Sequence, residues 1–153
     1  MCYLRIKYSH NNYSQMVEAT IRNSIFHDIT HFGIRITIGA IFIAHSLGKF
    51  ESGFAENLPN MGLPAEMQIP IALAEFVPGI LLIIGGLTRI SASLLSIVML
   101  GAIFVAKGAQ SFAGRGGVEF EILILSGCLL LIVIGPGRIS ISHILKKVPR
   151  VLQ

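Results

Sequence analysis

Residues 68–89, QIPIALAEFVPGILLIIGGLTR, constrain the chain more than any other stretch. About 20 mostly apolar residues in a row are enough for a helix to cross a ~30 Å hydrocarbon core. The run holds one acid, Glu75. A carboxylate at that depth is costly unless it faces protein or water, so it marks a functional site by default. Gly79 and Gly86 follow Glu75 by four and eleven residues, which places all three on one helical face. Small residues on a membrane helix mark a packed interface. Glu75 is therefore expected to point into a helix bundle, with Pro78 bending the helix one turn later.

The rest of the chain agrees with a membrane setting. Of the 153 residues, 53% are hydrophobic and 13% are charged, against about 25% charged in a soluble domain. The two cysteines, Cys2 and Cys128, form no CxxC or His/Cys pattern, so no metal or dithiol chemistry is signalled. Cys128 lies mid-run and reads as a small core residue. The net charge of +4 bears on topology and does not point to nucleic acid.

These patterns predict an all-α fold, a four-helix transmembrane bundle with a short interfacial helix before it. Residues 1–31 are polar and mixed, with an amphipathic pattern over 15–31 that suits the membrane surface. The bundle occupies residues 32–142, with spans at about 32–50, 68–89, 90–106 and 118–134. Residues 51–67 are expected to be a loop, broken by Pro59, Gly62 and Pro64. Residues 107–117 form a glycine-rich loop without the lysine pattern of a phosphate cradle. Residues 143–153 are a basic tail.

Four spans put both termini on the side of the turn between helices two and three. That side carries Arg5, Lys7, Arg22, Arg35, Arg89, Arg138, Lys146, Lys147 and Arg150; the other carries Lys49, Lys107 and Arg115. The asymmetry predicts a multi-pass cell-membrane protein with both termini cytoplasmic. At 1.5 Å per residue, His45, Lys49, Glu75, Lys107, Glu119 and Glu121 then share one layer in the outer half of the bilayer. Two readings of this layer stand side by side. It lines a polar pocket for a headgroup or a redox carrier, or its lysines and acids pair to lock the bundle. Glu119 and Glu121 also suit the first turn of a helix on dipole grounds alone. Arg35, Arg89 and Arg138 form a cytoplasmic anchoring layer, expected to reach lipid phosphates.

Particular motifs resemble the DoxX family of small four-helix membrane proteins. They are Arg35 and Gly39, the run FIAHSLGKF at 42–50, then GLPAEM, then ALAEFVPGILLIIGGLTRISA, then Gly117 with Glu119, and last GPGRISIS at 135–142. The match departs at Ser142, where relatives commonly carry an acid, and between Lys107 and Glu119, where relatives often carry a histidine. The resemblance implies a membrane component linked to a quinone-dependent oxidoreductase, because relatives include a subunit of a thiosulfate:quinone oxidoreductase. It implies quinone as the ligand, no covalently bound cofactor, and redox-enzyme subunits as partners in a homo- or hetero-oligomer. The rival expectation is a non-catalytic carrier or scaffold that binds lipid, a small solute or partner proteins, since no nucleophile–base–orienter set is present.

Overall fold

The computed structural model describes residues 25–137 together with residues 139 and 140. All regular structure among them is helical. Helix α1 runs Ile25–Lys49, α2 is the short Ser52–Asn57, α3 is Gln68–Ile84, α4 is Thr88–Gly101, and α5 is Glu119–Ile134. A π turn, Ala102–Ala106, continues α4, and two 3₁₀ turns, Pro59–Met61 and Ala65–Met67, lead into α3. Helix α1 packs chiefly on α3, and α4 packs on both α3 and α5.

Three segments are long and apolar enough to cross a membrane: Ile25–Lys49, Ala65–Ile84 and Thr88–Ala106. Helix α5 is as apolar but has 16 residues, or ~24 Å of rise, a little short of a full hydrocarbon core. The outward faces are what a lipid solvent demands. Leu73, Val77, Ile97, Phe104, Leu123 and Val133 are each 45–78% exposed, a pattern water would penalise and acyl chains do not. Inside, Phe42, Leu82, Ala92, Leu95, Cys128 and Leu131 form the centre of the core.

Several boundaries differ from the sequence expectation for local reasons. The first span is expected from residue 32, and α1 is already helical at Ile25, with Asp28 in its first turn. The expected interfacial helix is thus continuous with α1 over residues 25–31, and residues 15–24 lie outside the described residues. The 51–67 loop contains helical turns, and Leu58 is fully buried among them. The second span stops at Ile84, five residues before Arg89. Gly85 takes a left-handed φ of 73°, and the bonds Gly85 N–H to Leu82 O and Gly86 N–H to Leu81 O close a Schellman cap. Gly86 therefore lies past the helix and shares no face with Glu75, while Arg89 falls in the first turn of α4.

Helices α1 and α3 meet backbone to backbone at Gly39 and Gly79. A β-carbon on Gly39 would sit 2.6 Å from the Gly79 carbonyl oxygen and 2.7 Å from Ile83 Cγ1. Such an approach is open only to glycine. Gly39→Ala is expected to destabilise the protein by about 1–3 kcal/mol through overpacking. Gly33→Ala on the same helix, where nothing lies within 4 Å, is expected to be neutral or better. Thermal unfolding of the two variants in mild detergent checks this; equal melting would mean the helices do not touch there.

Candidate polar site in the bundle

Four of the six residues expected in the outer polar layer make two ion pairs. Lys49, in the last turn of α1, pairs with Glu75 of α3. Lys107, just after the π turn, donates to Glu121 Oε2 of α5 at 2.8 Å and to the Gly117 carbonyl at 2.6 Å. Two helix pairs are thus each tied by one lysine–carboxylate contact. His45 lies four residues before Lys49, and its ring stands 6.0 Å from that of Phe120.

These groups surround a cavity of about 180 Å³. Its polar lining is His45, Lys49, Glu75, Lys107 and Glu121; its apolar lining includes Ile41, Phe42, Met99, Phe120 and Ile124. It is smaller than the ~300–1,000 Å³ pockets that enclose drug-sized ligands, and it suits one ring-sized headgroup or several waters. Glu75 is 1% exposed. One of its oxygens, Oε1, meets Lys49, and Oε2 has no hydrogen-bond partner among the described residues.

Local structure explains how the lysines come to face the acids. The Lys107 N–H bonds Ala102 O at 3.0 Å, five residues back. That π turn absorbs an extra residue at the end of α4, and such turns recur beside functional sites. Here it brings Ala102, Ala106 and Lys107 to one wall of the cavity. At the other wall, Gln68 donates to the carbonyls of Lys49 at 3.0 Å and Glu51 at 2.8 Å. This ties the start of α3 to the end of α1. Lys49 Nζ also sits 5.5 Å above the Phe54 ring. Glu119 does not line the cavity; its Oε1 accepts the Gly114 N–H at 3.1 Å and holds the glycine-rich loop.

The opposite end of the bundle holds the larger departure from expectation. Arg35 does not reach toward lipid phosphates. It is 1% exposed. Its Nε donates to Leu82 O at 3.0 Å, its Nη2 to Ile83 O at 3.1 Å, and its Nη1 to Ile139 O at 2.9 Å and to Pro136 O. The guanidinium therefore donates to two carbonyls at the end of α3, one of which, Leu82 O, also accepts the Gly85 N–H, and joins them to the segment after α5. Gly85 makes room for it, since a β-carbon there would lie 2.7 Å from Arg35 Nη2. Arg89 is half-buried, and its Nε has no partner among the described residues. Arg138 and Ser142 lie outside the described residues.

Sequence reasoning missed Phe120, Met99, Phe54 and Gln68 as cavity residues or its supports. Phe120 had a signal, since it stands between two acids already placed in that layer. Gln68 had none, because its role depends on where the loop brings Lys49 and Glu51.

A family model described as DoxX matches residues 31–108. The chain belongs to the DoxX family. That match spans α1 to the π turn, so it includes Arg35, His45, Lys49, Glu75 and Lys107 but neither Glu119 nor Glu121. Among curated relatives, a Bacillus subtilis protein named "Putative oxidoreductase CatD" is 34% identical over 111 residues, 71% of this chain and 81% of its own length. The Mycobacterium tuberculosis "Uncharacterized membrane protein Rv3486" is 29% identical over 130 residues, 74% of this chain and 80% of its own. The Escherichia coli "Inner membrane protein YqjF" is 32% identical over 118 residues, 74% of this chain and 89% of its own. No solved structure matches the chain. In this DoxX protein the family region thus supplies both lysines and one of the two paired carboxylates, and α5 completes the site from outside it.

Proposed function

We propose that this DoxX protein is a membrane subunit or partner of an oxidoreductase system that passes electrons to quinone, and that its bundle cavity receives the quinone ring. The observation that carries this reading is the cavity itself. It combines the buried Glu75 carboxylate with apolar walls from Phe42, Phe120 and Met99. Pockets of this kind, mostly apolar with a few convergent polar groups, are the default ligand sites of a fold. The name of the Bacillus subtilis relative points to the same class of chemistry. Among the described residues there is no cluster of three or more His, Cys, Asp or Glu side chains. In this reading the flavin, haem or metal that moves the electrons belongs to a partner, and the protein works in a hetero-oligomer. By the charge asymmetry of the sequence, the cavity faces the outer half of the cell membrane.

The test is direct binding of a short-chain benzoquinone to the purified full chain, beside Ala102→Phe. Ala102 lines the cavity and belongs to neither ion pair, so a phenyl group there occupies the space while leaving both pairs' residues in place. Wild type is expected to bind, and Ala102→Phe to lose at least about tenfold in affinity with melting retained. That loss is the ~1.4 kcal/mol of one displaced ring contact or more. Crosslinking in native membranes is expected to capture oxidoreductase subunits. Absence of quinone binding, with cargo or lipid enzymes as the crosslinked neighbours, would move the protein to the carrier or scaffold class.

A further inference from the structure

We infer that the cavity is loaded from the side, through the seam between α1 and α5, by a membrane-borne amphiphile whose ring-sized head enters while its apolar tail stays among the acyl chains. The inference rests on the ring-binding reading above and adds the route in and the class of molecule that can take it.

The seam is the weakest wall of the bundle. Helix α1 packs on α3, α3 on α4 and α4 on α5, and the packing between α5 and α1 is the lightest of these. The two helices run antiparallel. Arg35 of α1 donates to Pro136 O and Ile139 O just past the end of α5, while His45 of α1 meets Phe120 in the first turn of α5. Between these points the seam changes width. At Gly127 it is shut, since a β-carbon there would lie 2.7 Å from Ile38 Cδ1. Seven residues further along each helix, about 10 Å of rise, stand His45 and Phe120. There two rings with centroids 6.0 Å apart hold the helices away from each other. The cavity fills the space between the two levels, against Ile41, Phe42 and His45 of α1 and Phe120 and Ile124 of α5.

Exposure gives the cavity a floor and a mouth. Phe42 and Glu75 are each 1% exposed and lie at the floor. His45 and Phe120 are both exposed and stand at the mouth. Leu47 and Leu123 flank it, 56% and 71% exposed, so the mouth opens among side chains suited to lipid. The end of the bundle is strapped instead. Lys107 joins the Gly117 carbonyl to Glu121, and Gln68 joins the start of α3 to the end of α1. Turning the two mouth rings needs only rotamer changes, which are fast in exposed side chains.

Size and charge set the class of ligand. About 180 Å³ holds a ring-sized head and leaves no room for a long tail. The two lysine–carboxylate pairs balance in charge, so an uncharged polar head adds no uncompensated charge. A tail leaving through the mouth lies over Leu47 and Leu123 and stays out of water. A ring carrying a long apolar tail and a lipid with a small uncharged head share this chemistry.

The experiment maps the tail by photolabelling the purified wild-type chain in lipid nanodiscs. One probe is a benzoquinone with a diazirine near the ring end of a long alkyl tail; the other is a diacylglycerol with a diazirine in its acyl chain. Peptide mass spectrometry is expected to find saturable benzoquinone labelling on α1 and α5 around Leu47 and Leu123, at least about tenfold above that around Val77 and Phe104, and displaced by a short-chain benzoquinone. Saturable seam labelling by the diacylglycerol alone would keep the side route and replace the ring by a lipid head. The second measurement uses His45→Cys with Phe120→Cys in a Cys2→Ser background, where the remaining Cys128 is fully buried. Bridging the new pair with a short thiol-cleavable crosslinker before adding probe is expected to cut seam labelling about tenfold, and reductant to restore it. If that variant fails to fold, the wild-type map decides alone. Saturable labelling on the outer faces of α3 or α4, or seam labelling undiminished under the bridge, would overturn side loading and leave the ring site standing. No saturable labelling by either probe would overturn both.

Discussion

Arg35→Ala is expected to be the most damaging single substitution in the described bundle, costing more than about 3 kcal/mol. Four backbone carbonyls lose a charged donor at once: Leu82, Ile83, Pro136 and Ile139. Two of them end α3, where Leu82 O keeps only the Gly85 N–H at 3.2 Å among the bonds described, and the side chain removed is 1% exposed. Hydrogen bonds to a charged group are each worth about 1.5–3 kcal/mol, so even partial rescue leaves a large loss. The Phe32 ring, 5.6 Å from the Arg35 Cζ, loses its cation as well. Arg35→Lys is expected to recover little. A single ammonium cannot span both the α3 end and the segment after α5, as the planar fork does. The measurement is thermal unfolding of both variants in mild detergent, with yield of folded protein as a second readout. A melting change in Arg35→Ala worth under about 1 kcal/mol would show that the guanidinium is not a structural clasp.

The second large effect is an asymmetry within the Lys49–Glu75 pair. Lys49→Met leaves the Glu75 carboxylate buried without its counter-charge, and breaking a buried pair in that way costs about 3–5 kcal/mol. Glu75→Leu is expected to cost less, about 1–2 kcal/mol, because the Lys49 side chain is 23% exposed and can turn toward the surface. The double variant Lys49→Met with Glu75→Leu is expected to regain most of the loss, since a well-packed apolar pair often equals a buried ion pair in stability. Melting curves for the four proteins of this cycle measure the coupling within the pair. Equal losses from the two single variants would mean that the carboxylate reaches water. Additive losses in the double variant would mean that the pair has no coupling.

The two ends of the bundle teach different things about legibility. The cavity end could be read in advance because its signals are local and chemical. Acids and lysines in apolar runs are rare enough to stand out, and the rise per residue places them at one depth without any knowledge of packing. That argument brought together His45, Lys49, Glu75, Lys107 and Glu121, and the structure lines one cavity with all five. Which lysine meets which acid was not legible, because pairing depends on the rotation of each helix about its own axis. The π turn that presents Lys107 is a one-residue shift in register, and periodicity alone does not reveal it. Glu119 opens the same helix as Glu121 but faces the loop, since helical residues two apart point to nearly opposite sides.

The arginine end resisted for the opposite reason. Positive charges near helix ends have a general explanation in membrane topology, and Arg35 fits it by position. Its partners are main-chain carbonyls, which carry no sequence signature. The sequence by itself determined that the chain is helical and a membrane protein, and that its paired carboxylates are costly enough to need partners. These follow from hydrophobicity, length and charge, which are properties of short stretches. The tertiary structure alone decided that Arg35 turns inward, that Gly85 ends α3 to admit it, and that one oxygen of Glu75 has no partner among the described residues. Each of those depends on which backbone atoms from distant segments arrive at the same point, and only packing sets that.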